Sequence, residues 1–304
     1  MELPNYKKDH VALRIYKGTC VFDTCETDAI QNMSVLDDDI WVLSFPRSGT
    51  TVTQEIVYLL VNKLDFKTAK SRPLDERFPF LDACLPGMPY FRGLKGVEEQ
   101  STPRLIKSHL HYHVLPQSLY SSKCKKIYVM RNPKDVYVSC YMLTQFLDQL
   151  RPEVTLETFL DQWLDGKAYN TPWWLHVRAF WEHRHEINNI LFLKYEDIVK
   201  DMRKTIYQIA EHLGVAVTPE EVDKIAEHCS FREMKASKST NAGWMLDHWQ
   251  VDKRFVGHVR KGKVGDWRNH FNSDMSEKID KMVQEKVGDL DLKFDYGADD
   301  LSTS

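Results

Sequence analysis

The first residues able to do chemistry stand in "FPRSGTT", Phe45 to Thr51, where an apolar run stops at Pro46 and Ser48, Thr50 and Thr51 gather around Gly49 beside Arg47. A strand entering such a turn and leaving as a helix aims backbone N–H groups and the positive helix end at one point, which suits a phosphate or sulfate. The pattern departs from the nucleoside-triphosphate loop G-x-x-x-x-G-K-[ST]: Ser44 holds the first glycine position and Thr50 the lysine position. On these residues alone an ordinary capped turn stays open. A second cluster is "KSH". In a strand, Lys107 and His109 are two apart and project to the same side, where a histidine can take a proton near neutral pH. In "HLHYH" an extended chain would also put His109, His111 and His113 on one side, as a three-histidine zinc site needs. No carboxylate ligand pattern stands nearby and "HRHE" is not H-E-x-x-H, so no metal is expected.

The elements that must position these residues follow from hydrophobic patterning. "IWVLSF" (Ile40 to Phe45), "RLIKS" (Arg104 to Ser108), "KIYVMR" (Lys126 to Arg131) and "ILFLKY" (Ile190 to Tyr195) read as short buried strands. Between them, Val52, Ile56, Leu59, Leu60 and Leu64 share one helical face, and Ile206, Ile209, Ala210 and Leu213 another that stops at Gly214. "NPKD" predicts a helix start with Asn132 as cap, Pro133 first and Asp135 in the first turn. "TPEE" predicts a capping box between Thr218 and Glu221. Strands alternating with helices imply an α/β fold: one domain with a central, mostly parallel sheet flanked by helices. Ligands of such sheets sit beyond the carboxyl ends of the strands, where "PRSGTT", "KSH" and "RNPKD" all fall.

The 304 residues carry 41 basic and 44 acidic side chains, a balance without the basic excess of a nucleic-acid binder. The apolar runs fall short of a membrane span, and neither end shows a signal peptide or lipidation motif. Six scattered cysteines without a C-x-x-C pair fit reduced thiols in the cytoplasm.

Taken in order, "PRSGTTV", "RLIKSH", "YVMRNPKDVYVSCY", "LFLKYEDI" and "VRKGKVGDW" resemble the cytosolic sulfotransferases, from about Val35 to about Phe271. The resemblance implies transfer of a sulfonate from 3′-phosphoadenosine 5′-phosphosulfate (PAPS) to a small hydroxyl compound, leaving adenosine 3′,5′-bisphosphate (PAP). By it, Arg47, Ser48, Gly49, Thr50, Thr51 and Val52 hold the phosphosulfate end. Arg131, Ser139, Arg260, Lys261 and Gly262 hold the 3′-phosphate, although "VRKGKVGD" alone would read as a solvated basic turn. Tyr195, Cys229, Ser230, Phe231 and Met234 line the adenine pocket.

His109 is implied as general base, with Lys107 and Arg47 offsetting charge on the sulfonyl and leaving oxygens. The family more often has Lys at Arg47, Trp at Val52 and Thr at Cys229. An arginine fork can bond two oxygens at once and stabilises a weakly basic leaving phosphate without giving up a proton. Losing the tryptophan predicts a looser grip on the base unless another ring compensates. Phe80, Leu81, Met88, Tyr90, Phe91, Tyr141, Phe146, Trp244 and Met245 are the expected walls of an acceptor pocket suited to an apolar or aromatic alcohol. "RNHFNSDMSE" keeps the charged ends of the family's dimer motif, Arg268 and Glu277, but not its Thr-Val pair, so a homodimer stays open. Two other functions also remain open: a nucleotide-binding protein without catalysis, and a zinc hydrolase built on the histidine triplet.

Overall fold

In the computed structural model, described for residues 12–85, 87–146, 153–241, 244 and 259–297, four strands form a parallel sheet in the order β4-β3-β5-β6. They are β3 (Ile40–Ser44), β4 (Leu105–Ser108), β5 (Lys125–Met130) and β6 (Ile190–Lys194). Each predicted strand is present, with ends moved by about one residue. Tyr195 opens a helix instead of closing β6.

The strands read as apolar runs because both faces are covered. Ile40 and Val42 pack with the helix Thr50–Val61 on one side of the sheet. Trp41 and Leu43 point into a second core with Ile106, Tyr128 and Met130. Central strand β3 pairs with β4 on one side and β5 on the other. The chain therefore reverses direction across the sheet at β3, and a crevice opens beyond the carboxyl ends there.

The local signals hold. Asn132 Oδ1 accepts from the Asp135 amide at 2.9 Å at the start of helix Pro133–Phe146. Thr218 and Glu221 form the reciprocal capping box, and Gly214 ends helix Met202–Leu213 at φ 72°. Leu64, expected on the first helical face, lies beyond the helix end at φ 60° and still packs on the core.

Two features lie outside the sequence reading. A hairpin of β1 (Leu13–Tyr16) and β2 (Thr19–Phe22) turns at Lys17 and Gly18, both at positive φ, which matches the twist of the flanking strands. It docks through Cys20, whose N–H reaches Thr171 O at 3.0 Å. The segment after Phe271, where the resemblance ends, forms helix Ser273–Val287, and Met275 and Ile279 join a core with Trp163 and Trp173. Among the described residues no helix is long and apolar enough to cross a membrane.

Candidate active site

One cavity of about 440 Å³ lies beyond the carboxyl ends of β3, β4 and β5 and touches all three sequence clusters. At its floor, Gly49 caps helix Thr50–Val61 at φ 106°, and a Cβ there would sit 2.8 Å from the Tyr195 ring, so this turn requires glycine. Ser44 Oγ and Thr50 Oγ1 bond at 2.6 Å across the turn. Arg47 lies in the left-handed region at φ 70° and donates from Nε to Ser139 Oγ at 2.9 Å. Residues that the resemblance assigned to different phosphates thus meet in one place. Burial, helped by the nearby Arg131 and Arg260 cations, pushes Arg47 down to about 10, still protonated at neutral pH. Thr51 and Val52 line the cavity, whereas Ser48 lies behind it, fully buried, with no hydrogen-bond partner for Oγ among the described residues.

A second group of cations adjoins this turn. Arg131 reaches Arg47 O at 3.3 Å and Lys263 O at 3.0 Å, and its guanidinium lies 4.2 Å from the centre of the Tyr195 ring. Asp266 pairs with Arg260 at 2.5 Å and Lys261 at 2.6 Å. Asp266 is held well below the carboxylate range: hydrogen bonds from Lys261, Arg260 and Asn269 outweigh the upward pull of burial. The Nε atoms of Arg131 and Arg260 are buried without a protein partner among the described residues. Gly262, at φ 64°, lets the chain pass against Phe231, where a Cβ would fall 2.4 Å from the ring. Cations with unmet donors and side-chain-free approaches fit a doubly phosphorylated nucleotide. Next to them Tyr195, Cys229, Ser230, Phe231 and Met234 line the same cavity, with aliphatic Val52, Ile198 and Met202. Burial pushes the Cys229 thiol well up, so it lines this wall as a neutral thiol.

Lys107 and His109, both buried, line the cavity beside the turn through Ser44. His109 Nδ1 lies 2.8 Å from Ser44 O, a group that can only accept, so Nδ1 carries the proton and Nε2 is left as the basic nitrogen. The backbone is fixed as well: the His109 amide donates to Asp82 Oδ2 at 2.7 Å, and its carbonyl accepts from His176 Nε2 at 3.2 Å. Ser108 Oγ donates to Asp82 Oδ1 at 2.6 Å. Burial raises Asp82 to about 7 against these bonds. Burial, then the Lys107 charge, holds His109 well below the ordinary histidine value, which keeps it neutral. Lys107 Nζ lies 4.1 Å from the centre of the Phe80 ring, and burial lowers its pKa.

The three histidines do not share a face. The chain turns after Leu110, and His111 Nε2 and His113 Nε2 bond the carbonyls of Asn170 and Lys17. No group able to hold a metal ion occurs among the described residues.

Of the expected acceptor walls, Phe80 and Phe91 line the cavity. Trp244 packs behind them, 4.9 Å from Phe91, with its indole N–H on Asp75, and Met88 joins that cluster while Tyr90 packs on its edge. Leu81 and Tyr141 do not line the cavity. Leu81 points into the opposite core, and Tyr141 donates to Val154 O at 3.1 Å. The Phe146 side chain and Met245 lie outside the described residues. The sequence reading missed Phe22 and Tyr169, stacked at 4.1 Å in the cavity wall. Only the β-prone residues of "TCVF" could have suggested a strand, and nothing local pairs it with Tyr169.

Residues 37–291 match the model of a family described as "Sulfotransferase domain". The amine sulfotransferase of Oryctolagus cuniculus is 36% identical over 296 residues, covering 95% of each chain. The 3-alpha-hydroxysteroid sulfotransferase of Cavia porcellus is 37% identical, covering 83% of this chain and 85% of that one. Among solved structures, retinol dehydratase in complex with androsterone and the inactive cofactor PAP superimposes with a TM-score of 0.85 at 28% identity, covering 96% of this chain and 92% of that one.

Proposed function

Because the chain belongs to the sulfotransferase family along nearly its whole length and is a PAPS-dependent enzyme, we propose that the cavity moves a sulfonate group from PAPS to the hydroxyl of a small apolar acceptor, with His109 as general base. The observation that supports this best is the His109 tautomer: Nδ1 is committed to Ser44 O, and the remaining nitrogen belongs to a ring that lines the cavity with Lys107 and Arg47. When bound, PAPS supplies the activated sulfonyl group. The acceptor oxygen gives its proton to Nε2 as it bonds sulfur, and the S–O bond to phosphate breaks with its electron pair on the departing PAP. Arg47 and Lys107 offset the charge growing on that oxygen, so positioning and electrostatics carry the step. The acceptor end is walled by Phe22, Phe80, Leu85, Phe91 and Tyr169, which favours a flat, apolar alcohol or phenol.

Six free thiols support a reducing, cytoplasmic setting. For a homodimer through the family segment, Arg268 is not readily available: its fork bonds the carbonyls of the chain's own Tyr296 and Gly297.

Labelled sulfate transfer from PAPS to a panel of phenols, steroids, aliphatic alcohols and amines tests the reading. Transfer to a hydroxyl is expected. Transfer to amines alone would reassign the acceptor, and PAP binding without any transfer would leave a binding protein. Arg47→Lys should lower kcat by no more than about tenfold, the size of one lost hydrogen bond, because the charge remains. A folded but inactive Arg47→Lys protein would show that the two-oxygen contact is indispensable.

A further inference from the structure

Asp135 reads in the sequence as a first-turn acid of its helix, yet its carboxylate is directed to a distant segment. Oδ2 accepts from the Gly265 amide at 2.8 Å and Oδ1 from the Trp267 amide at 3.0 Å. Oδ2 also accepts from Asn132 Nδ2 at 2.9 Å and stands 3.5 Å from Arg131 Nη2. Asp135 is 1% exposed, so these bonds form away from water, where charge-assisted hydrogen bonds are strong. Residues 259 to 265 have no helix or strand to hold them, and ordering such a stretch costs conformational entropy that contacts must offset. Asp135 supplies one of those contacts at Gly265 and anchors the turn that follows through Trp267, and Arg131 closes the ring through Lys263 O.

We propose that Asp135 is the positioning residue for recognition of the 3′-phosphate: it locks the "RKGKVGDW" loop to helix Pro133–Phe146, and so sets the spacing between Arg131 on one side and Arg260 and Lys261 on the other. The inference rests on the donor site proposed above. It differs from a helix-dipole role because the carboxylate acts across 130 residues of sequence. The 5′ end of the nucleotide is reached only indirectly, through the Arg131 bond to Arg47 O, because the phosphate loop itself is built by Gly49 and the helix that follows.

Calorimetric binding of PAP and of 5′-AMP to the wild-type chain and to Asp135→Asn decides the matter. The asparagine keeps the shape but has one acceptor oxygen, so one of the two amides loses its partner. The wild type is expected to prefer PAP, and Asp135→Asn to lose that preference by roughly tenfold or more, with 5′-AMP affinity changing far less than PAP affinity. A simple loss of stability could lower the melting temperature, but it would not change the ratio of the two affinities. A wild type that discriminates beside an Asp135→Asn that discriminates equally would overturn this inference alone. A wild type that binds both nucleotides equally would overturn the donor site and the inference with it. Should Asp135→Asn fail to fold, native-state hydrogen exchange of the wild type decides: slow exchange at the Gly265 and Trp267 amides, slowed further by PAP and not by 5′-AMP, supports the lock. Fast exchange at both amides overturns it.

Discussion

His109→Ala is expected to lower kcat by about two to four orders of magnitude, the usual contribution of a positioned general base, while PAP affinity stays near the wild-type value. The separation follows from the layout of the cavity. His109 stands with Lys107 and Phe80 and meets the start of the Gly49 turn only at Ser44, whereas the candidate phosphate ligands are Arg47 and the residues around Gly49, Arg131 and the loop from Arg260. Its pH profile carries a second expectation. Burial and the Lys107 charge disfavour the imidazolium, so the folded-state value lies below 6.5. The basic form is therefore already present at neutral pH, and the acid limb of kcat/KM should fall only below that value. An acid limb at or above 6.5 would contradict a neutral, buried base, and a folded His109→Ala protein with weakened PAP binding would move the residue into the donor site.

Arg77→Ala should destabilise the fold by about 3–5 kcal/mol, the cost of leaving one member of a buried ion pair without its partner. Arg77 donates to Glu55 Oε2 at 2.8 Å, to Ser239 Oγ at 3.0 Å and to the carbonyls of Arg72 and Ala69. Its side chain is 2% exposed and that of Glu55 is fully buried. The other Glu55 oxygen bonds His228 Nε2 at 2.8 Å, one residue before Cys229. The network therefore ties helix Thr50–Val61, which follows the Gly49 turn, to the segment at Cys229 that lines the same cavity. Urea unfolding gives the readout: the midpoint should fall with the slope unchanged. Replacing both partners, Glu55→Gln with Arg77→Met, should recover part of the loss, because no buried charge is then left alone. A single Arg77→Ala variant within about 1 kcal/mol of wild type would mean that water reaches Glu55 and screens it.

The parallel sheet, the turn at Gly49, the cap at Asn132, the capping box at Thr218 and the stop at Gly214 were all legible in the amino-acid sequence. Each depends on residues within a few positions of one another, and backbone sterics and unsatisfied helix-end groups act over that range. The resemblance of the five ordered blocks located residues that the structure gathers around one cavity. The acceptor end was less legible. Leu81 and Tyr141 are as apolar or aromatic as Phe80 and Phe91, and only the direction of each side chain separates core from wall. The tautomer of His109 rests on a carbonyl 65 residues away, the fixing of its backbone on Asp82 and His176, and the anchoring of the loop from Arg260 to Trp267 on Asp135 across 130 residues. Buried polar groups must find partners wherever packing brings them, and those partners can be distant in the chain. The sequence by itself thus determined which chemistry the chain carries, while the tertiary structure decided which nitrogen is basic, which carboxylates hold the cavity wall in place and which rings line it.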